Sequence, residues 1–168
     1  DGHGIEIYHD RPRALWEGHV DRMDTLPLDI DDLLGELGSE GEATYMGLPP
    51  GTDMGHVHLR VANIAETVRF YRDTLGFALM ATYGPHAVFL AAGGYHHRIG
   101  ANVWHSMGAS PPPGDAPALR YATVTFPDAA SRDVAADRAA DAGHEVDARS
   151  DTPWVRDPAG NVLRLAVT

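Results

Sequence analysis

The sequence predicts an α+β fold built from two copies of one unit whose elements run β, α, β, β, β. Three observations lead there. A strand-like run of alternating polarity precedes a cappable helix and three short β-like runs, the same order returns after a proline-rich link, and the first residues match the last strand of the second copy.

From Met54 to Val61 the residues alternate, which places Val57, Leu59 and Val61 on one face and His56, His58 and Arg60 on the other. This predicts a half-buried strand with a polar side. Asn63 can then cap a helix with Glu66 three residues on, and Ile64, Val68, Tyr71 and Leu75 share one stripe before Gly76 stops it. Strand-like runs follow at roughly 77–83, 86–92 and 98–104, separated by Gly84-Pro85 and by Gly93-Gly94. The link Ser110-Pro-Pro-Pro-Gly-Asp115 reads as an extended spacer. Beyond it, Tyr121 to Phe126 alternates like the first strand, and Asp128 can cap a helix carrying Val134, Ala135, Arg138 and Ala142 and ending at Gly143. Further strand-like segments lie near 145–148, 152–156 and 161–167. Residues 54–168 are therefore one complete pair, made of modules 54–109 and 117–168, and a constant shift lays Asn63 on Asp128 and His56 on Tyr121.

The opening Gly2-His-Gly-Ile-Glu-Ile7 aligns residue by residue with Gly160-Asn-Val-Leu-Arg-Leu165, which sets Glu6 on Arg164. Residues 1–8 are thus expected to be the last strand of an earlier module pair, with Ile5 and Ile7 packed beneath and Gly4, Glu6 and Tyr8 on the cavity side. The chain also lacks an initiator methionine, and the economical reading is that it begins inside a larger duplicated protein. Residues 9–53 would join the two parts, with a short helix at about 29–37 using Leu33, Leu34 and Leu37. The acids Asp29, Asp31 and Asp32 suit the dipole of that helix's first turn and need no bound cation.

Composition narrows the partners. With 24 acidic against 13 basic residues in 168, the net charge of −11 argues against binding nucleic acid or an anionic membrane. No apolar run reaches the length of a membrane span and no secretory leader is visible, so the cytoplasm is the default expectation. Cysteine is absent, so any metal would take its ligands from the 10 histidines and the carboxylates.

Gly55-His-Val-His-Leu-Arg-Val-Ala-Asn63 with Phe70-Tyr-Arg-Asp-Thr-Leu-Gly-Phe77 resembles the opening strand and helix of a vicinal oxygen chelate module. Asp157-Pro-Ala-Gly-Asn161 resembles that superfamily's closing turn, and Asp1-Gly-His-Gly-Ile-Glu-Ile-Tyr8 resembles the same turn with its ligand glutamate retained. Asp10-Arg-Pro12, Met23-Asp-Thr, Leu28-Asp-Ile and Gly94-Tyr-His-His97 before Asn102-Val-Trp104 are similar to a subgroup, the two-domain catechol-2,3-dioxygenase-like proteins. The resemblance implies tandem βαβββ modules curled into a half-open barrel around a divalent metal, iron(II) or manganese(II), with open positions for a substrate's vicinal oxygens.

By the same resemblance the ligand positions of the complete pair are His56, Tyr121 and Arg164. A guanidinium repels a cation, so the usual metal site is expected to be absent from residues 54–168. Arg164 would then fill the cavity, pair with an acid or hold an anionic ligand. Glu6 is the implied metal ligand of the earlier pair, whose histidines would lie upstream of Asp1. His56 is either a ligand or a cavity histidine bonded to a neighbour, and a rearranged site using His58 or His97 stays open. At most one of His96 and His97 should face the cavity. Tyr121 could donate a phenolic hydrogen bond to a ligand or simply pack, and packing is the expectation for Tyr95 and Trp104. His3, His9, His19, His86, His105 and His144 offer no spacing argument.

Three functions follow from the resemblance. The first is a metal-dependent extradiol dioxygenase acting on a small aromatic substrate, with this chain's own upstream domain as partner and a homo-oligomeric assembly. The second is a glyoxalase-like isomerase or lyase on a vicinal-oxygen substrate. The third is a non-catalytic domain that binds a small ligand or scaffolds its neighbour.

Overall fold

The computed structural model describes residues 3–21, 26–35, 46–149 and 151–168. Among its described residues the linker has two 3-10 turns, Arg13–Leu15 and Glu17–His19, and an α-helix, α1 (Ile30–Gly35), whose Leu33 and Leu34 are exposed. Leu37 and the Met23-Asp-Thr motif lie outside the described residues. The first module then runs β1 (Val57–Arg60), α2 (Ile64–Val68), a π-helical turn over Arg69–Thr74, β2 (Ala78–Tyr83), β3 (Ala87–Ala91) and β4 (Ile99–Asn102). The second runs β5 (Ala122–Phe126), α3 (Ala129–Asp141), β6 (Val146–Asp147), β7 (Trp154–Arg156) and β8 (Val162–Val167).

Each module forms a four-stranded sheet of the same topology, β1-β4-β3-β2 and β5-β8-β7-β6, with its first and last strands parallel and the other pairs antiparallel. The α+β fold of tandem βαβββ units is therefore present as expected, and so are both caps. Asn63 Oδ1 accepts from the Glu66 N–H at 3.2 Å, and Asp128 Oδ1 from the Ser131 N–H at 2.7 Å. Gly76 (φ 84°) and Gly143 (φ 81°) take the left-handed conformation that ends each helix.

Two details differ from the helical stripes read in the sequence. After Val68 the first helix widens, with Leu75 N–H bonding to Phe70 C=O, so the adjacent Phe70 and Tyr71 are both buried together with Thr74 and Leu75. In α3, of Val134, Ala135, Arg138 and Ala142 only Ala135 is buried, and Ala135, Ala136 and Ala139 face the sheet instead. Their small side chains let the helix sit close over Val155, Leu163 and Leu165 while Val134 turns to solvent.

One core joins the modules, and a buried polar contact locks them. Tyr71 Oη donates to Asp157 Oδ2 at 3.0 Å, and Asp157 also accepts from the Ala159 and Asn161 N–H groups and from Asn161 Nδ2. Burial first, then the adjacent carboxylate, raises the Tyr71 phenol well above its ordinary pKa.

The expected packing of the N-terminal segment is not seen. Residues 3–8 form no strand, and Ile5 and Ile7 are 89% and 81% exposed, whereas their counterparts Leu163 and Leu165 are both 0% exposed. The difference is one of neighbours: β8 lies between β5 and β7 and under α3, and among the described residues nothing flanks residues 3–8 in that way.

Candidate functional site

The alternation that buries Leu59 and Val61 turns His56, His58 and Arg60 to the opposite face of the first sheet. There His58 lies level with Gly100 on β4, and a side chain at Gly100 would bring its Cβ within 2.8 Å of His58 Nδ1. Glycine is what leaves room for the imidazole. Asn102 Nδ2 donates to His58 Nε2 at 2.8 Å, Asn102 Oδ1 accepts from the Trp104 N–H at 3.0 Å, and the indole stacks on His58 with centroids 6.2 Å apart. The His56 and His97 rings lie 4.4 Å apart, and Phe89 meets both His58 and His97 edge-on.

The N-terminal segment crosses this same face. His56 Nε2 donates to Glu6 Oε2 at 3.1 Å, and its Nδ1 faces the Tyr8 hydroxyl at 3.4 Å. Gly55 makes this approach feasible, because any Cβ there would collide with the Tyr8 hydroxyl. Tyr95 Oη lies 3.3 Å from Tyr8 Oη and donates to Asp10 Oδ2 at 2.8 Å. His96 Nε2 donates to Asp10 Oδ1 at 3.3 Å, which leaves His96 Nδ1 to accept from His97 Nδ1 at 2.8 Å. Arg13 donates to the carbonyls of Gly93 and Gly94, and Trp16 packs edge-on against Tyr95 and His96. Glu6 and His56, assigned from sequence to two different module pairs, thus meet within one chain.

Electrostatics follow the packing. Burial first, then the positive charge that His56, His96 and His58 would carry, pushes His97 down to about 3 from its ordinary 6.5. Desolvation and neighbouring His56 push His58 the same way, with Glu6 opposing. Desolvation, then the contacts with Tyr8 and Asp10, raises the Tyr95 phenol well above its ordinary value. Desolvation of Asp10 works against ionisation, yet the hydrogen bonds from Tyr95 and His96 outweigh it and hold the carboxyl below its usual range.

A pH prediction follows from His97. Its lowered value means that the unfolded chain takes up a proton from about pH 6.5 downward while the folded chain does not. The stabilising contribution is complete above pH 6.5 and is lost as the pH falls from there toward 3. Between pH 7.5 and 5 the metal-free chain should lose about 2 kcal/mol from this group, measured by urea unfolding, and His97→Gln should flatten that slope. An unchanged slope in the variant would contradict the assignment.

The donors do not form a metal site of the expected kind. Two histidines and a carboxylate are present in Glu6, His56 and His97, but Glu6 is bonded to His56 and His97 Nδ1 is turned to His96. Among the described residues no group of three such side chains converges on one point. At the other implied ligand positions the Arg164 guanidinium lies 3.9 Å from the centroid of the Tyr121 ring, both side chains on the open face of the second sheet. A fixed positive charge there does not fit a divalent cation. No hydrogen bond, ion pair or ring contact joins that pair to the histidine cluster among the described residues.

Of the sequence-derived candidates, the structure gathers Glu6, His56, His97 and His58 on one face, with Tyr121 and Arg164 together on the other sheet. Of the adjacent histidines, His97 is buried toward the cluster and His96 contacts the N-terminal segment. Sequence reasoning missed the network of Tyr8, Asp10, Tyr95 and Trp16. The motifs that carry it, Asp10-Arg-Pro12 and Gly94-Tyr-His-His97, were visible, but nothing in either says that they touch.

Residues 53–165 match the model of the Glyoxalase/Bleomycin resistance protein/Dioxygenase superfamily. The chain is 41% identical over 162 residues to a catechol-2,3-dioxygenase of Bacillus subtilis, covering 94% of this chain and 56% of that protein. The chain thus spans a little over half the length of this relative. Among solved structures it is similar to a lactoylglutathione lyase from Agrobacterium tumefaciens, with 21% identity, TM-score 0.50, and coverage of 71% of this chain and 96% of the other. It is similar also to the trypanothione-dependent glyoxalase I of Leishmania major, with 20% identity, TM-score 0.54, and coverage of 69% and 86%. These two likenesses concern the fold alone. Among the described residues no helix is long and apolar enough to cross a membrane.

Proposed function

Because the chain belongs to the Glyoxalase/Bleomycin resistance protein/Dioxygenase superfamily, we propose that it is part of a metal-dependent, catechol-cleaving dioxygenase-like protein in which residues 54–168 form the half without the metal. The observation that carries this reading is Arg164 stacked on Tyr121, a cation and a phenol at two of the three positions where a module pair would hold its metal. The 41% identity to a catechol-2,3-dioxygenase supports the substrate class, a small aromatic diol.

Glu6 is then a ligand of a preceding pair whose two histidines lie outside residues 1–168. In residues 1–168 alone its carboxylate pairs instead with His56, at 3.1 Å. The exposure of Ile5 and Ile7 supports a preceding pair, since their counterparts in β8 are enclosed by neighbouring strands and a helix. Exposed β-branched side chains of this kind favour a partner surface.

The test is anaerobic reconstitution of the full-length protein with iron(II), followed by catechol and air. A yellow ring-cleavage product is expected. A panel of substituted catechols left unreacted would overturn the reading, and turnover of a thiohemiacetal in their place would assign the scaffold to isomerase chemistry instead.

A further inference from the structure

We infer that the open face of the second sheet, around Arg164, is a metal-free binding site for a small aromatic carboxylate. Leu163 and Leu165 are fully buried, so the alternation of β8 stands Arg164 on the opposite, exposed face. Its guanidinium lies over the Tyr121 ring at 3.9 Å, and among the described residues it makes no hydrogen bond and no ion pair. Arg156 on β7 is a useful contrast. It sits over Trp154 at 5.6 Å, but its donors are taken by Glu145 at 2.7 Å and by the Gly160 carbonyl at 2.9 Å. Of the three roles open to Arg164 in the sequence, pairing with an acid is thus not the one adopted.

The contact with Tyr121 does more than fill space. Stacking on a ring fixes the plane of a guanidinium and leaves its edge, with the fork of N–H donors, directed away from the ring. Strand register supplies the neighbours: Thr123 is level with Arg164 on one side and Trp154 on the other. The face therefore presents a phenol, a hydroxyl, a guanidinium and an indole, and beyond the indole the Asp147 carboxylate, which is paired with Arg149. Two strand spacings make it about 10 Å across, the size of a single-ring acid. A carboxylate takes the fork through two parallel charge-assisted hydrogen bonds, and the attached ring finds an aromatic surface beside it.

The global field does not gather anions here, since the chain carries a net charge of −11. Recognition is local, because salt screens distant charges over about 8 Å at physiological ionic strength while the guanidinium sits at contact. The inference does not depend on ring cleavage, and its test uses the chain without metal.

Isotope-labelled residues 1–168 are titrated with benzoate, with acetate and benzyl alcohol as partners that each lack one feature, and amide and indole shifts are followed. Benzoate should give saturable shifts centred on Thr123, Trp154 and Arg164 at millimolar concentration, with acetate and benzyl alcohol clearly weaker. Arg164→Gln should weaken benzoate about tenfold or more, and Arg164→Lys, which keeps the charge but loses the fork, should fall between. Unchanged thermal unfolding of both variants establishes that the fold is intact. No saturable benzoate shift, equal binding by acetate, or equal benzoate affinity in Arg164→Gln would each overturn the assignment.

Discussion

Replacing Asp157 by alanine is expected to lower the unfolding free energy by about 3–5 kcal/mol, a large share of the stability of a domain this size. The carboxylate is 4% exposed and accepts from Tyr71 Oη at 3.0 Å, Asn161 Nδ2 at 2.9 Å, Ala159 N at 2.9 Å and Asn161 N at 2.7 Å. Truncation strands a phenol that is itself 0% exposed, and it frees the turn that leads into β8. Tyr71→Phe should be milder, about 1–2 kcal/mol, because Asp157 keeps its other donors. Chemical unfolding followed by fluorescence measures both. Equal losses in the two variants would show that the contact between modules, rather than the turn, carries the energy, and an Asp157→Ala variant as stable as the parent would show that neither does.

In the full-length protein, reconstituted with iron(II), Glu6→Gln is expected to reduce kcat/KM for catechol cleavage by about a hundredfold or more, roughly 2.7 kcal/mol of transition-state stabilisation. The amide keeps the shape of the side chain and removes the negative charge that the carboxylate of a two-histidine, one-carboxylate set supplies to the cation. Bound iron should fall in parallel. The alternative origin of any effect is the contact seen here, in which Glu6 accepts from His56 at 3.1 Å. His56→Ala separates the two, because it removes that contact without touching the proposed ligand. A Glu6→Gln protein with full iron content and full turnover would remove Glu6 from the metal site.

Much of the fold was legible because it is written in local patterns. Alternation in residues 54–61, the caps at Asn63 and Asp128 and the terminating Gly76 and Gly143 all act within one or two turns, and each reappears in the structure. The sense of α3 was harder to read. A helix rich in alanine carries little hydrophobic contrast, so the buried face is chosen by how closely it can approach the sheet, and Val134 ends up in solvent. The contact between Tyr71 and Asp157 was hidden for another reason. Both motifs were visible, but a hydrogen bond between residues so far apart in sequence is set by how the two modules pack.

The candidate site shows the same division. Strand parity puts His56 and His58 on the polar face, as the structure has them, while the match of residues 2–7 with 160–165 sets Glu6 on Arg164 only as an expectation. What neither could supply is the crossing of the N-terminal segment over that face, which brings Tyr8, Asp10 and Glu6 to Tyr95, His96 and His56. Residues 9–53 carry no repeat from which to infer it.

In the proposed function, residues 54–168 carry a cation of their own, Arg164, where the superfamily holds a metal. Residues 1–168 titrated with iron(II), manganese(II), zinc(II) and nickel(II) by calorimetry, with metal content measured after dialysis, should then give no stoichiometric tight site for any of the four and the same isotherms for His56→Ala. One equivalent of tightly held metal that disappears in His56→Ala would contradict it.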